Sequence, residues 1–434
     1  MLKTSVFLIN PYISHSFIVV KQKITDIIMR HEGIMKKFTN VQKFKIIYLL
    51  VYFGDSIFGN FLALYLVHLN YTPYEKGIIL ALVPIACFLG NFFYSYFGNE
   101  YRHNIILLKI LSLIELLSVF FFGYISNIYL IGLLTFSFSF NNSSYFQIEE
   151  GTMSQTIKKY KTIYATVRVF GSIGYLCGLF FSSLALNFID YRVLFMISGA
   201  FFLMTSIMLY TLDPTDYLVE NFDSSLKNNN IEHSKNKTML LKNKFFYLYL
   251  IYYVFMWGGT TLNWNIYPLY LNTLGLTDSQ FGLFQALTVV FETIFMYLNI
   301  VIFRKLKNNY KVFMIIACLL KITVIIFEVL IVDKYTLAIL CMVFNGIGSA
   351  FFIFCNVNFI NLVFGEKDLT RVLQLVVGVN NLFVASGNLL APSIYTNTSF
   401  PIFFMIVGIF EIIGFTSMLF IKVPPIFNND SQNI

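Results

Sequence analysis

Glu150 and Arg168 are the residues whose types and spacing most readily do chemistry in this chain. They stand eighteen residues apart, one on each side of a loop at Lys158 and Lys159, inside two apolar stretches. If both stretches are helices joined as a hairpin, a rise of about 1.5 Å per residue brings the two side chains to a common depth. A carboxylate and a guanidinium at that depth can meet, and either alone would be costly. Ser143, Gln147 and Glu150 follow i, i+4, i+7 on one helix face, and Arg168, Ser172 and Tyr175 repeat the pattern on the next. Two facing polar stripes predict a wet cavity. There a carboxylate–guanidinium pair can hold hydroxyl groups by charge-assisted hydrogen bonds, and Tyr175 can stack on an apolar ring face. The plainer alternative is an ion pair that only fixes helix packing. Glu149 points about 100° away from Glu150 and is the weaker carboxylate.

Further polar residues fall in other apolar stretches. Gln285, Thr288, Glu292 and Asn299 form a stripe in the eighth. Glu292 has no partner in its own helix, and an ion at membrane depth is expensive. That suits a group that takes up and releases a proton, unless Glu292 pairs with Lys321 of the ninth stretch for stability alone. Gln374, Asn381 and Asn388 follow heptad spacing in the eleventh and are expected to line the same cavity. Of Asn263, Trp264 and Asn265 in the seventh, only some can face inward. Asp55 in the first stretch and Glu115 in the third are further proton-coupling candidates beside Glu292 and Lys321. Glu411, in the last, reads as a packing or peripheral residue. Lys109 and Glu328 sit nearer the ends of their stretches, where snorkelling explains them.

The elements that must position these residues are apolar helices. The chain is 57% hydrophobic and only 12% charged, against about 25% charged in an average soluble domain. Too few charges remain to cover a water-facing surface, so lipid must be the solvent. Twelve stretches are long enough to span a bilayer, near 45–69, 77–98, 104–123, 128–150, 163–186, 193–212, 245–271, 280–302, 311–332, 336–364, 372–396 and 399–422. The expected layout is an N-terminal tail at 1–40, a six-helix bundle at 41–212, a cytoplasmic linker at 213–244, a second six-helix bundle at 245–423 and a C-terminal tail at 424–434. Met35 looks like a natural start, so residues 1–34 are expected either to be a disordered tail or to precede the true start.

The two bundles are copies. With an offset of 205 residues, positions 48–82 align without a gap, and Tyr48/Tyr253, Gly54/Gly259, Asn60/Asn265, Thr72/Thr277 and Gly77/Gly282 are among the identities. A parallel duplication is the layout of large two-halved secondary transporters. Lys and Arg alternate in number between successive loops. Nineteen fall on the side of the N-terminus, among them Lys36, Lys158, Lys235, Arg304 and Lys367, and only Lys76, Arg192 and Lys334 on the other. By the positive-inside rule, both termini and the linker are expected in the cytoplasm.

The net charge of +8 is thus accounted for by topology, with no nucleic-acid partner expected. The five cysteines all lie in apolar runs, with neither disulfide nor metal-ligand spacing. No nucleophile–base pair, metal-ligand cluster or phosphate loop is visible, so a polytopic enzyme has little support.

The segment Val167-Arg-Val-Phe-Gly-Ser-Ile-Gly-Tyr175 resembles the fifth helix of lactose permease and its relatives in the major facilitator superfamily, where an arginine precedes an aromatic, a Gly-x-x-Gly pair and another aromatic. Proton-linked nucleoside transporters are similar too. The resemblance covers about residues 44–422. It implies that Arg168 and Glu150 bind the solute, that Tyr175 replaces a ring-stacking tryptophan, that Glu292 matches an eighth-helix glutamate and that Lys321 replaces a ninth-helix arginine. The permease's tenth-helix histidine and proton-carrying glutamate have no counterpart in Phe344-Asn345-Gly346-Ile347. A different proton route is implied, and lactose is not indicated as the solute.

The expectation is an all-α polytopic membrane protein of the major facilitator fold. It would take up a small hydroxylated solute, a sugar or nucleoside, across the plasma membrane by alternating access. A proton gradient would supply the energy, no cofactor would be needed, and one chain would function as a monomer. An exporter of drugs or metabolites shares the fold and is the alternative.

Overall fold

The computed structural model describes residues 38–94, 101–160, 165–213, 244–305, 309–331, 333–364 and 369–422. Among them the chain is helical throughout, without a strand. Twelve helices follow one another: α1 Asn40–His68, α2 Pro73–Tyr94, α3 Tyr101–Phe120, α4 Ile128–Lys159, α5 Ala165–Ala185, α6 Tyr191–Tyr210, α7 Lys244–Thr273, α8 Asp278–Lys305, α9 Tyr310–Leu330, α10 Lys334–Phe364, α11 Leu369–Asn397 and α12 Phe400–Phe420. Eleven carry an apolar window long enough to cross a bilayer. The exception is α4, whose middle reads Asn-Asn-Ser-Ser-Tyr-Phe-Gln-Ile-Glu-Glu. It runs on to Lys159, past the expected end near 150, because a helix need not stop where its apolar stretch does. The suggested N-terminal tail and linker lie almost wholly outside the described residues, and the C-terminal tail lies wholly outside them.

The helix starts are written in local chemistry. Thr39 and Gln42 form a reciprocal capping box ahead of α1. Asp190 caps α6 and Asn309 caps α9, each accepting from the backbone three residues on. Ahead of α10, the Asp333 carboxylate accepts from the Thr336 N–H at 2.8 Å. Hydrogen bonds from the Thr336 hydroxyl and backbone hold its carboxyl below the usual range. Lipid offers no partner to an open backbone group, so the spans between these caps satisfy their own.

The internal repeat is visible in the packing. In the first half α1 packs on α5 and α6, α2 on α4, and α3 on α4 and α6. Shifted by six helices, the same pairs recur: α7 with α11 and α12, α8 with α10, and α9 with α10 and α12. The identities of the repeat fall at these contacts. Thr72 forms a capping box with Glu75, and Thr277 forms one with Gln280. Asn70 (φ 57°) and Gly275 (φ 79°), also 205 apart, make the same left-handed turn before them. Gly54 of α1 lies against Ser198 and Phe202 of α6, and Gly259 of α7 against Val407 and Glu411 of α12.

The halves meet where α2 packs on α11 and α5 on α8. Gly77 faces Asn388 and Pro392, and its repeat partner Gly282 faces Phe61 and Ser183, so neither site has room for a Cβ without displacement. Hydrogen bonds join the halves here. Asn187 donates to Ser279 at 3.0 Å, Gln285 to Asn60 at 3.0 Å, Asn388 to the Leu80 carbonyl at 3.0 Å and Tyr191 to Asp278 at 2.5 Å, and Ser183 donates to the Ser279 carbonyl. These contacts lie toward the face bearing the α1–α2, α5–α6, α7–α8 and α11–α12 turns. Among the described residues no hydrogen bond joins the halves at the opposite face. Large apolar side chains such as Leu133, Leu184, Leu330 and Phe420 point outward, as a lipid-solvated surface requires.

Candidate functional site

Between the halves lies a cavity of about 340 Å³, within the range of small-molecule sites, about 300–1,000 Å³. Its N-half wall is built by α5 packing on α1. Gly174 and Gly178 of α5 approach the α1 backbone at Leu49 and Phe53 so closely that an added Cβ would collide. Gly171 leaves room for the Arg168 guanidinium and the Tyr52 ring. The glycines of the fifth-helix motif are therefore packing residues, while Arg168, Ser172 and Tyr175 line the cavity.

Arg168 Nε lies 3.5 Å from Glu150 Oε1, and its guanidinium sits 4.6 Å from the centre of the Tyr52 ring. The two charged side chains are 36% and 45% exposed. The pair is thus neither enclosed nor fully solvated. Tyr175 accepts a hydrogen bond from Asn60 at 2.7 Å, and Asn60 accepts one from Gln285 at 3.0 Å. That chain links α5, α1 and α8 across the halves at the closed end of the cavity.

The C-half wall comes from α7, α8, α9 and α10. A π-helical turn at Tyr253–Trp257 interrupts α7, a distortion frequent at functional sites. Trp257, the last residue of that turn, and Thr260, Thr261 and Trp264 beyond it all line the cavity. Trp257 stacks on Phe352 at 4.0 Å, with the Lys321 ammonium 5.6 Å from its ring centre. Lys321, 4% exposed, donates to the Asn345 carbonyl at 3.0 Å, to the Asn345 side chain and to Ser349 at 2.8 Å. Glu292 lines the cavity with no hydrogen-bond partner among the described residues, in electrostatic reach of Lys321 and Arg168. The ion pair with Lys321, the alternative reading of Glu292, is not formed among the described residues, because Lys321 is turned into α10.

Of the residues singled out in the sequence, Glu150 is paired to cavity-lining Arg168, and Ser172, Tyr175, Gln285, Thr288, Glu292 and Lys321 line the cavity. Gln147 is exposed on α4 and is not part of the cavity wall, nor is half-buried Asn381. The stripe through Ser143 is split, since that hydroxyl accepts from Asn91 of α2. Asn388 leaves the cavity group as well, donating to α2 and accepting from Asn265 at 3.4 Å. The Gln374 side chain lies outside the described residues.

Asp55 accepts from Asn142 of α4 at 3.0 Å. Glu115 and Glu149 are fully enclosed in the N-half, Glu115 beside Asn142. None of the three lines the cavity. Glu328 does not snorkel. It is 1% exposed and accepts from Asn263 at 2.8 Å, because α9 turns it into the bundle. Glu411 is not peripheral either, being 1% exposed and facing α7.

Tyr52, Trp257, Thr260, Thr261, Asn345 and Ser349 were not anticipated as a group. The 205-residue offset carried a signal, since it places Trp257 opposite Tyr52. Among the described residues no group of His, Cys, Asp and Glu is arranged to hold a metal ion.

Comparison with known proteins follows the same lines. Residues 46–358 match the family model described as Major Facilitator Superfamily. No curated protein matches the sequence. Among solved structures, the nucleoside transporter NupG superposes with a TM-score of 0.73 at 14% identity, covering 89% of this chain and 100% of that one. A D-xylose-proton symporter gives 0.66 at 14% identity, over 88% and 97%. An auto inhibited POT family peptide transporter gives 0.66 at 12%, over 87% and 95%. At these identities the likeness is one of fold.

Proposed function

Because this chain belongs to the Major Facilitator Superfamily, a multi-pass membrane transporter family, we propose that its central cavity carries a small hydroxylated solute, a sugar or a nucleoside, in company with a proton. The observation that carries the reading is the half-exposed Arg168–Glu150 pair beside Tyr52, on the wall between two repeat-related halves. A guanidinium and a carboxylate bind paired hydroxyls from both sides, one donating and one accepting. Tyr52, Trp257 and Trp264 give flat surfaces for a ring or base. The nucleoside transporter and the xylose–proton symporter that share the fold support that class of solute.

With the Lys- and Arg-rich loops placed in the cytoplasm, both termini are cytoplasmic and the hydrogen-bonded face between the halves is the outer one. In that orientation the Tyr191–Asp278 and Asn60–Gln285 contacts lie toward the outer side of the cavity. To open outward, the halves must break the Tyr191–Asp278 and Asn60–Gln285 contacts and close around Arg168. Glu292, with no hydrogen-bond partner among the described residues and in electrostatic reach of Lys321 and Arg168, binds solute or takes the proton. Neutralising a carboxylate removes the cost of carrying its charge through an occluded state. Lys321, Asp55 and Glu115 remain further coupling candidates. The pathway lies within one chain, so a monomer in the plasma membrane suffices, with no cofactor beyond the proton gradient and no nucleic acid.

The test is uptake of labelled uridine and D-xylose into proteoliposomes. Accumulation of one probe that needs an inward proton gradient and disappears in Arg168→Ala supports the proposal. Outward, gradient-driven extrusion points instead to the exporter reading.

A further inference from the structure

A second, smaller space of about 20 Å³ lies inside the C-half, large enough for about one water molecule. Thr260, Trp264, Lys321 and Asn345 border both this chamber and the solute cavity. Its inner wall carries Glu411 of α12 and Glu328 of α9. Glu411 Oε1 accepts from Thr260 at 3.1 Å, while Oε2 is buried without a partner. Asn263 Oδ1, also on the wall, is unsatisfied too. Two unmet acceptors facing a water-sized space are a site for water and for a proton.

The repeat shows that packing does not demand this carboxylate. Gly54 rests on Ser198 and Phe202 of α6, and Gly259 on Val407 and Glu411 of α12. Both partner pairs are separated by the same interval of 209 residues. Phe202 fills its place as hydrocarbon, fully enclosed and edge-on to Phe138. The C-half puts a carboxylate in the equivalent place, where a buried charge is expensive.

Building on the proton coupling proposed above, we propose that Glu411 is a proton-binding group of the transport cycle, reached from the solute cavity through the water-sized chamber. A proton from water bonds to the free Oε2 and the carboxylate becomes a neutral carboxyl. The proton returns to water when the halves rock, and no electron moves. In this structure Lys321 rests on Asn345 and Ser349, the arrangement the proposal assigns to neutral Glu411. Ionised Glu411 draws the Lys321 ammonium away from α10 and loosens that wall of the cavity. The titratable groups facing Glu411 are Lys321, Glu328 and Cys318 from α9. Tyr267 of α7 and Cys341 of α10 border the chamber, and α11 presents no described charged group there.

The experiment has a readout that needs no solute. Infrared difference spectra of the purified protein between acid and alkaline pH are recorded for wild type, Glu411→Gln and Glu411→Phe, the last copying Phe202. A carboxyl C=O band that titrates in wild type and is absent from both folded variants is expected. A band unchanged in both variants overturns the proposal, as does the lack of any titrating carboxyl band in wild type. In proteoliposomes, the variants are expected to lose gradient-driven accumulation of uridine or D-xylose but to keep exchange of the same probe. Accumulation retained by Glu411→Gln overturns the inference and leaves the transport reading intact. A titrating Glu411 band in a wild type that accumulates neither probe overturns the transport reading alone.

Discussion

Tyr52 and Trp257 stand 205 residues apart, in equivalent places on α1 and α7, and each faces the one cavity-lining cation of its own half. From there the halves diverge. In the N-half, Arg168 is exposed and held by Glu150, which is itself exposed. In the C-half, Lys321 is enclosed, tied to α10, with its nearest carboxylates in separate places: Glu292 in the cavity and Glu411 in the side chamber. α1 is regular through this region, whereas α7 is broken by a π turn. The duplication has kept the packing positions, Gly54 with Gly259 and Gly77 with Gly282, and let the cavity chemistry drift apart. On the proposed reading, the N-half grips the solute and the C-half holds and releases charge.

The comparison can be broken experimentally. Arg168→Ala should reduce uptake by roughly 10- to 100-fold, the loss of one or two hydrogen bonds to a charged group. Its thermal stability should change little, because an exposed ion pair contributes at most about 1 kcal/mol. A large stability loss with normal uptake would reverse the role given to this pair. Lys321→Ala should behave oppositely. It leaves the Asn345 carbonyl and side-chain oxygens unmatched in a buried site, a cost of about 1–3 kcal/mol, visible as a lower melting temperature in detergent.

Some of this was legible in the sequence, and the reason is cost. Ionisable residues at membrane depth are rare, so Glu150, Arg168, Glu292 and Lys321 stood out, and the motif around Gly171 and Gly174 marked α5. The aromatic and hydroxyl residues of the wall did not. Phe and Tyr occur throughout these helices, and only packing decides which of them face the cavity. The π turn adds a residue to one turn of α7, shifting the phase on which a periodic reading of Trp257 and Thr260 depends. Heptad spacing put Asn388 with the cavity residues, but α11 crosses α2 at Gly77 there, and the amide serves that crossing. Glu411 was undervalued because its meaning comes from the other half, where the same place holds Phe202.

Tyr191→Phe removes the hydroxyl that joins α6 to Asp278 at the closed face. It should shift the population toward the opposite opening, seen as faster alkylation of a cysteine introduced at the closed end of the cavity. Smallest is the cap of α10. The folded carboxyl of Asp333 titrates below its unfolded value, so its contribution is present above the unfolded value and fades as pH falls through the folded one. Asp333→Asn should therefore lower the melting temperature slightly at neutral pH and not at strongly acidic pH.

The most direct measurement is uptake of labelled uridine and D-xylose by wild type and Arg168→Ala in proteoliposomes, with and without an inward proton gradient. One probe is expected to accumulate only with the gradient and only with Arg168 present. Equal accumulation by both proteins, or none of either probe in wild type, would contradict it.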